Sequence, residues 1–200
     1  MSSHPCAYRV MTSKPTSLAT AIYSLRVELT RIEPLIWRRL LVRGSTTLVG
    51  LHAALQVTMG WTNSHLHSFT FGDVRYGVPD EIYGPTMRDE RGQTLAKVLG
   101  ETHREFGYTY DFGDDWEHRI VVEALSKARA EFHYPICVAG ERACPPEDVG
   151  GPPGYQDFLE ALLDASHPKH SQYLRWIGGV FDPEGCDINA VNRALAKLRR

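Results

Sequence analysis

The chain has 200 residues, 42% of them hydrophobic and 23% charged, which suits one globular domain with a sizeable core and excludes disorder of the whole chain. Its 22 basic and 24 acidic residues leave a formal net charge of -2, so net charge does not indicate nucleic acid or an anionic membrane as a partner. No apolar run reaches the roughly 18 to 20 residues of a membrane span, and four cysteines without a C-x-x-C pair fit a reduced, cytoplasmic protein.

Residues 1–20 are rich in Ser, Thr and Pro and lack the apolar core of a secretion signal. They read as a flexible tail ahead of a single domain over 21–200. From Tyr23, apolar Tyr23, Leu25, Val27 and Leu29 alternate with polar Ser24, Arg26, Glu28 and Thr30, the pattern of a half-buried strand. After Glu33-Pro34, a second strand runs through Ile36, Leu40 and Val42, and a hairpin joins the two. The second strand is apolar on both faces at several points, and its arginines are expected at its edge. Ser45, Thr46 and Thr47 offer N-cap hydroxyls for a helix through Leu48, Leu51, Leu55 and Met59, with Gly60 as its stop.

Two short strands are expected around Gly72-Asp73, then a loop from Pro79 to Gln93 and a short helix from Thr94 to Leu99. The alternating runs Phe106–Phe112 and Trp116–Val122 predict a hairpin with a tight turn at Gly113-Asp114-Asp115. Tyr134 to Gly154 is dense in Pro and Gly and reads as an irregular, shaped loop. Tyr155, Phe158, Leu159, Leu162 and Leu163 form a helical stripe. A helix over His167 to Trp176 and another capped by Asp187 follow. Strands come first and helices cluster late. The fold class is therefore α+β, a mainly antiparallel sheet of hairpins with helices packed on it and a helical C-terminal part.

Polar residues that can carry chemistry fall in three segments. His65 and His67 form an H-x-H pair; on a regular strand both point to one face, where two imidazoles can converge on an ion. The same pair also fits histidines that only make hydrogen bonds. The hairpin 108–118 combines Asp111, Glu117 and His118 with Tyr108, Tyr110 and Trp116, although Gly and Asp also belong to turns for backbone reasons alone. Asp111-Phe112-Gly113 matches the kinase metal-binding triplet without the rest of that set. The third segment holds Cys137, Cys144, Glu147 and Asp148. Its cysteine spacing departs from zinc-knuckle patterns, and Gly150–Gly154 lacks the Lys of a phosphate loop.

Two functional readings follow. In the first, Trp61, Tyr108, Tyr110, Asp111, Trp116, Glu147 and Asp148 line the cleft of a binding or accessory module, because pockets pair apolar walls with a few convergent polar groups. In the alternative, His65, His67, Asp111 and His118 hold a divalent metal in a hydrolase, with Glu117 or Glu147 as the base; strand alternation points Glu117 away from His118 and favours Glu147.

The segments Ser64–Phe69, Tyr110–His118, Ala143–Gly151 and Phe181–Glu184 resemble the plasmid pRiA4b ORF-3-like family, in the same order and over most of the chain from Tyr23. Members are also described as TnpR-like passenger proteins of insertion elements. The resemblance implies a compact α+β domain found on plasmids, mobile elements and chromosomes, with no implied catalytic residues. A resolvase reading is not supported: the early serines sit in the tail, and no basic recognition helix stands out.

Overall fold

The computed structural model describes residues 17–79 and 87–199. The expected tail falls largely on residues 1–16, outside the described residues, as does 80–86 of the expected loop. Eight strands form one sheet, β1 (Ile22–Leu29), β2 (Ile36–Arg43), β3 (His67–Phe71), β4 (Val74–Gly77), β5 (Arg88–Asp89), β6 (Glu105–Tyr110), β7 (Trp116–Ser126) and β8 (Ile136–Glu141). Their order is β5-β4-β3-β6-β7-β1-β2-β8, antiparallel except for the β4–β5 pair. Five helices accompany them: α1 (Leu48–Met59), α2 (Leu95–Leu99), α3 (Gly151–Leu163), α4 (His170–Ile177) and α5 (Ile188–Leu195).

Strand alternation sorts the side chains into two faces. One buries Tyr23, Leu25, Val27 and Leu29 of β1, Ile36, Leu40 and Val42 of β2, and Phe106, Tyr108, Tyr110, Trp116 and Ile120 of the β6–β7 hairpin. Leu48, Leu51, Ala54 and Leu55 of α1 pack into this core, with Tyr155 and Phe158 of α3 and Leu195 of α5. The other face is polar and laced with cross-strand ion pairs. Arg39 holds Glu123 through two bonds, and Arg119 reaches Glu105 and Glu28. Exposed pairs of this kind contribute little each; they keep the open face soluble.

Both predicted hairpins form: β1 pairs with β2 from Ile22↔Arg43 to Leu29↔Ile36, and β6 pairs with β7. α1 starts and stops as expected. The Thr47 side chain accepts from Gly50 N, and Gly60 takes a left-handed φ of 82° that an L side chain disfavours.

Four expectations need correction. β2 has no free edge for its arginines, because Ile136–Glu141 within the Pro- and Gly-rich stretch forms β8 and pairs along its far side. Arg38 is therefore buried rather than fringing the sheet, 4% exposed. Its guanidinium donates to the carbonyls of Trp37, Glu141 and Arg142 and to Cys144 Sγ. The stretch also ends early: α3 begins at Gly151, with Pro152 and Pro153 in its first turn, where a missing N–H breaks no helical bond. The β6–β7 connection is longer than a tight turn, since β6 stops at Tyr110 and Asp111 to Asp115 loop outward. The loop expected between Pro79 and Gln93 includes the two-residue strand β5.

The free edge of β8 is closed by a side chain. Asn192 of α5 accepts from Cys137 N and donates to Cys137 O, both at 2.8 Å, standing in for a further strand.

Arg38→Met keeps the apolar stem but leaves three carbonyls without their donor. It is expected to destabilise the fold by roughly 3 kcal/mol, read as a lower urea midpoint at unchanged slope.

Candidate functional site

Three connections meet above the end of the β3–β6–β7 segment: 60–66 between α1 and β3, 111–115 between β6 and β7, and 142–150 between β8 and α3. Aromatic side chains from the core hold them together from below. Trp61 stacks on Tyr110 with ring centroids 5.0 Å apart and donates from Nε1 to the carbonyl of Pro145 at 3.0 Å. The Tyr110 hydroxyl accepts from Ser64 N and donates to Glu147 Oε1. The other Glu147 oxygen accepts from both N and Oγ1 of Thr62, each at 2.6 Å. One carboxylate thus ties the first connection to the third. Burial alone would raise the Glu147 pKa, but the bonds from Thr62 and Tyr110 outweigh it and hold the carboxyl below its ordinary value.

The second connection joins through backbone contacts. Asp111 N donates to Leu66 O at 2.9 Å, and Gly150 N donates to Asp114 Oδ2 at 3.0 Å. Gly151, with φ at 68°, lies so close to this loop that a Cβ there would stand 2.4 Å from the carbonyl oxygen of Asp114. Asn63, Asp111, Asp115 and Asp148 all take positive φ, near 59°, 56°, 55° and 59°. Asn and Asp tolerate this region better than other non-glycine residues.

The junction gathers His65, Asp111 and Asp148. His65 Nε2 lies 2.8 Å from Asp148 Oδ1 and 3.5 Å from Asp111 Oδ2. One ligating atom from each falls within 4.8 Å of the others, the one such trio of His, Cys, Asp or Glu among the described residues. Asp111 is buried, His65 half-buried and Asp148 exposed. The second Asp111 oxygen, Oδ1, accepts from Gly113 N and Asp114 N, which fixes the carboxylate plane. At His65, burial lowers the pKa, but the hydrogen bond to Asp148 and the charges of Asp111, Asp148 and Glu147 together leave it raised.

An imidazole nitrogen and two carboxylate oxygens form a donor set for a divalent ion. Ligand distances near 2.1 Å place neighbouring ligand atoms about 3.0 to 3.4 Å apart in octahedral or tetrahedral geometry. The two His65 separations bracket that range.

His67 and His118 are not part of this trio, so the expected quartet of His65, His67, Asp111 and His118 does not assemble as one group. Regular strand geometry begins only at His67, and the period-2 rule that put both imidazoles on one face does not extend back to His65. His67 is buried, bonded through Nε2 to the buried Glu90 at 2.9 Å, and stacked flat on His52 at 3.5 Å. His118 points into the core, with Nδ1 donating toward the carbonyls of Trp116 and Tyr108 and Nε2 without a partner among the described residues. The aromatic wall also differs from expectation: Trp61, Tyr108, Tyr110 and Trp116 are all buried, so they form the floor under the junction rather than the lining of an open cleft. Cys137 and Cys144 lie apart from the trio, and burial pushes both thiols up to about 11, which disfavours the thiolates a zinc site needs.

Sequence reasoning passed over His52, Gln56, Thr62, Asn63 and Glu90. His52 accepts from the Tyr108 hydroxyl at Nδ1 and donates from Nε2 to Asn63 Oδ1, while Gln56 donates to the Tyr108 hydroxyl and accepts from Asn63 N. This network holds Asn63, and with it the turn that presents His65. Its available signal was His52 and Gln56 four residues apart on an otherwise apolar helix face.

The plasmid pRiA4b ORF-3-like protein family model matches residues 21–190. An uncharacterized protein, y4hQ, of Sinorhizobium fredii (strain NBRC 101917 / NGR234) is 40% identical over 183 residues, covering 90% of this chain and 94% of its own. The crystal structure of MM3350, a protein of unknown function from Methanosarcina mazei Go1, superposes with a TM-score of 0.78 at 35% identity, covering 84% of this chain and 96% of that one.

His52 and His118 both contribute to the acid response. Burial, the first cause for both, lowers each pKa from 6.5 to about 4. A histidine held neutral in the fold takes up its proton on unfolding, so stability is full above pH 6.5 and falls as pH drops toward 4, by about 3 kcal/mol per histidine at most. Urea denaturation at stepped pH should show this slope, and His118→Phe should roughly halve it.

Proposed function

This chain belongs to the plasmid pRiA4b ORF-3-like family, and we propose that it is a cytoplasmic binding or accessory module whose loop junction holds a divalent metal ion at His65, Asp111 and Asp148. The observation that carries the reading is the convergence of those three ligand atoms on one spot, with Asp111 fixed by two backbone donors. His65 supplies Nε2, and each aspartate supplies one oxygen. Three protein ligands leave coordination positions open, so the ion serves as the polar centre to which an oxygen or nitrogen of a partner attaches. Tyr110, Trp61 and Glu147 act from beneath by fixing the loops that carry the ligands.

A binding role is favoured over hydrolysis because the base assigned to the hydrolytic alternative is already occupied. Glu147 accepts from Tyr110 on one oxygen and twice from Thr62 on the other, and those bonds keep its pKa low. A carboxylate in that state is a weak general base. Cytoplasmic residence rests on the free thiols of Cys137, Cys144 and Cys186. No helix among the described residues is long and apolar enough to cross a membrane. A passenger role on insertion elements fits the same reading, since an accessory module needs no catalytic centre of its own.

Zinc and manganese titrated into the tag-free protein by calorimetry should reveal one site per chain. His65→Ala and Asp111→Asn should each weaken it at least tenfold; Asn keeps both the turn acceptor and the left-handed backbone of Asp111. Affinity should fall in acid, because protonated His65 cannot ligate. A wild-type protein that takes up neither ion would sink the reading.

A further inference from the structure

The polar face of the sheet carries a groove of about 640 Å³ over β3, β6 and β7 that shares no residue with the metal-ligating trio. Strand register sets its floor. Thr70, Gly107 and Arg119 stand side by side on the three strands, and Thr109 pairs with Glu117 two residues further along. The groups around the floor are open to water: the side chains of Glu105, Arg119 and Glu117 are 58%, 53% and 50% exposed.

Three glycines lie within the described strands, and packing accounts for two of them. A Cβ at Gly77 would stand 2.4 Å from Met87 Sδ, and one at Gly140 2.7 Å from Arg38 Cδ. Gly107 is different. It sits inside a regular ladder, its φ lies outside the left-handed region, and a Cβ there would meet only Thr70, at an ordinary 3.6 Å. A glycine in a strand interior weakens the strand, and where neither bulge nor neighbour requires it, it marks the close approach of another molecule to the backbone.

We propose that this groove binds a neutral sugar, whose ring lies on the bare backbone at Gly107 while its hydroxyls bond to Thr70, Thr109 and the carboxylates of Glu105 and Glu117. The apolar lining residues Phe106 and Tyr108 turn their side chains into the core, so the groove offers a ligand polar groups. Its charges are already matched: Arg119 pairs with Glu105 and Glu28, and Glu117 with Arg31, which leaves no cation among them to select a phosphate. Arg104 continues the ladder by accepting from Val122 N, which puts it on the side of Phe106, where its charge reaches the Tyr23 hydroxyl. The volume lies within the range of small-molecule pockets.

Amide shifts of the nitrogen-labelled full chain, titrated with maltose, cellobiose, lactose and chitobiose and separately with adenosine monophosphate, test this. At least one disaccharide should shift the amides of Thr70, Gly107 and Thr109 saturably, and the nucleotide should not. Gly107→Val fills the notch and should weaken that sugar about tenfold. Its melting temperature should stay at or above that of the wild type, because a β-branched residue suits a strand. Thr70→Val should weaken the sugar several-fold. Silence of these amides toward all the sugars would overturn the proposal, as would a response to the nucleotide in their place. Sugar binding unchanged by Gly107→Val would do the same. So would a melting temperature several degrees lower in that variant, which would mean that packing alone explains the glycine.

Discussion

The first and third of the three connections share one position because the Glu147 carboxylate, on the third, accepts from the first and from the sheet beneath both. Tyr110 donates to it from the sheet, and Thr62 donates to it from the α1–β3 connection. The tie is strong because it is ionic on the acceptor side and partly screened from water. Remove it, and the connection 60–66 loses its ionic anchor and is left with neutral bonds at Trp61, Asn63, Ser64 and Leu66 and the His65–Asp148 contact. That closure joins the connection carrying His65 to the one carrying Asp148, whose side chains meet at 2.8 Å.

The same closure explains why aromatic residues cluster where polar chemistry is exposed. Each ring buries a large apolar area and keeps one polar atom for a specific partner: Tyr110 for Ser64 and Glu147, Trp61 for Pro145, Tyr108 for His52 and Gln56. Burial supplies stability and the polar tips supply register. A Leu at any of these positions fills space but cannot fix a loop.

The sheet was readable from sequence wherever alternation ran uninterrupted, as in Tyr23–Leu29 and the 106–122 hairpin. The helices were readable wherever capping chemistry marked them, as at Thr47 and Gly60. β8 stayed hidden because its six residues lie among prolines and glycines, which signal loops by composition while leaving Ile136–Glu141 free to extend. The start of α3 was obscured for the opposite reason: Pro152 and Pro153 read as breakers, yet in a first turn they break nothing. For the site, residue types were legible and their assembly was not. Asp111, His65 and Asp148 were all singled out, but the trio depends on where β3 begins, and a shift of two residues in a strand boundary decides which histidine faces the junction.

That boundary also separates two kinds of histidine chemistry. His67, inside the strand, lies beneath the surface with Glu90 and His52, where low dielectric strengthens each bond and excludes solvent ions. His65, one residue before the strand's neighbour, stays half-exposed between two carboxylates, where a cation reaches it from water. The carboxylates around His65 favour its protonated form, and they would favour a bound cation for the same electrostatic reason, so a proton and a metal would compete for Nε2. A divalent ion held there would gain more from Asp111 and Asp148 than a proton does, and the Asp111 carboxylate, already fixed by two backbone donors, would favour the ion over the proton as pH rises.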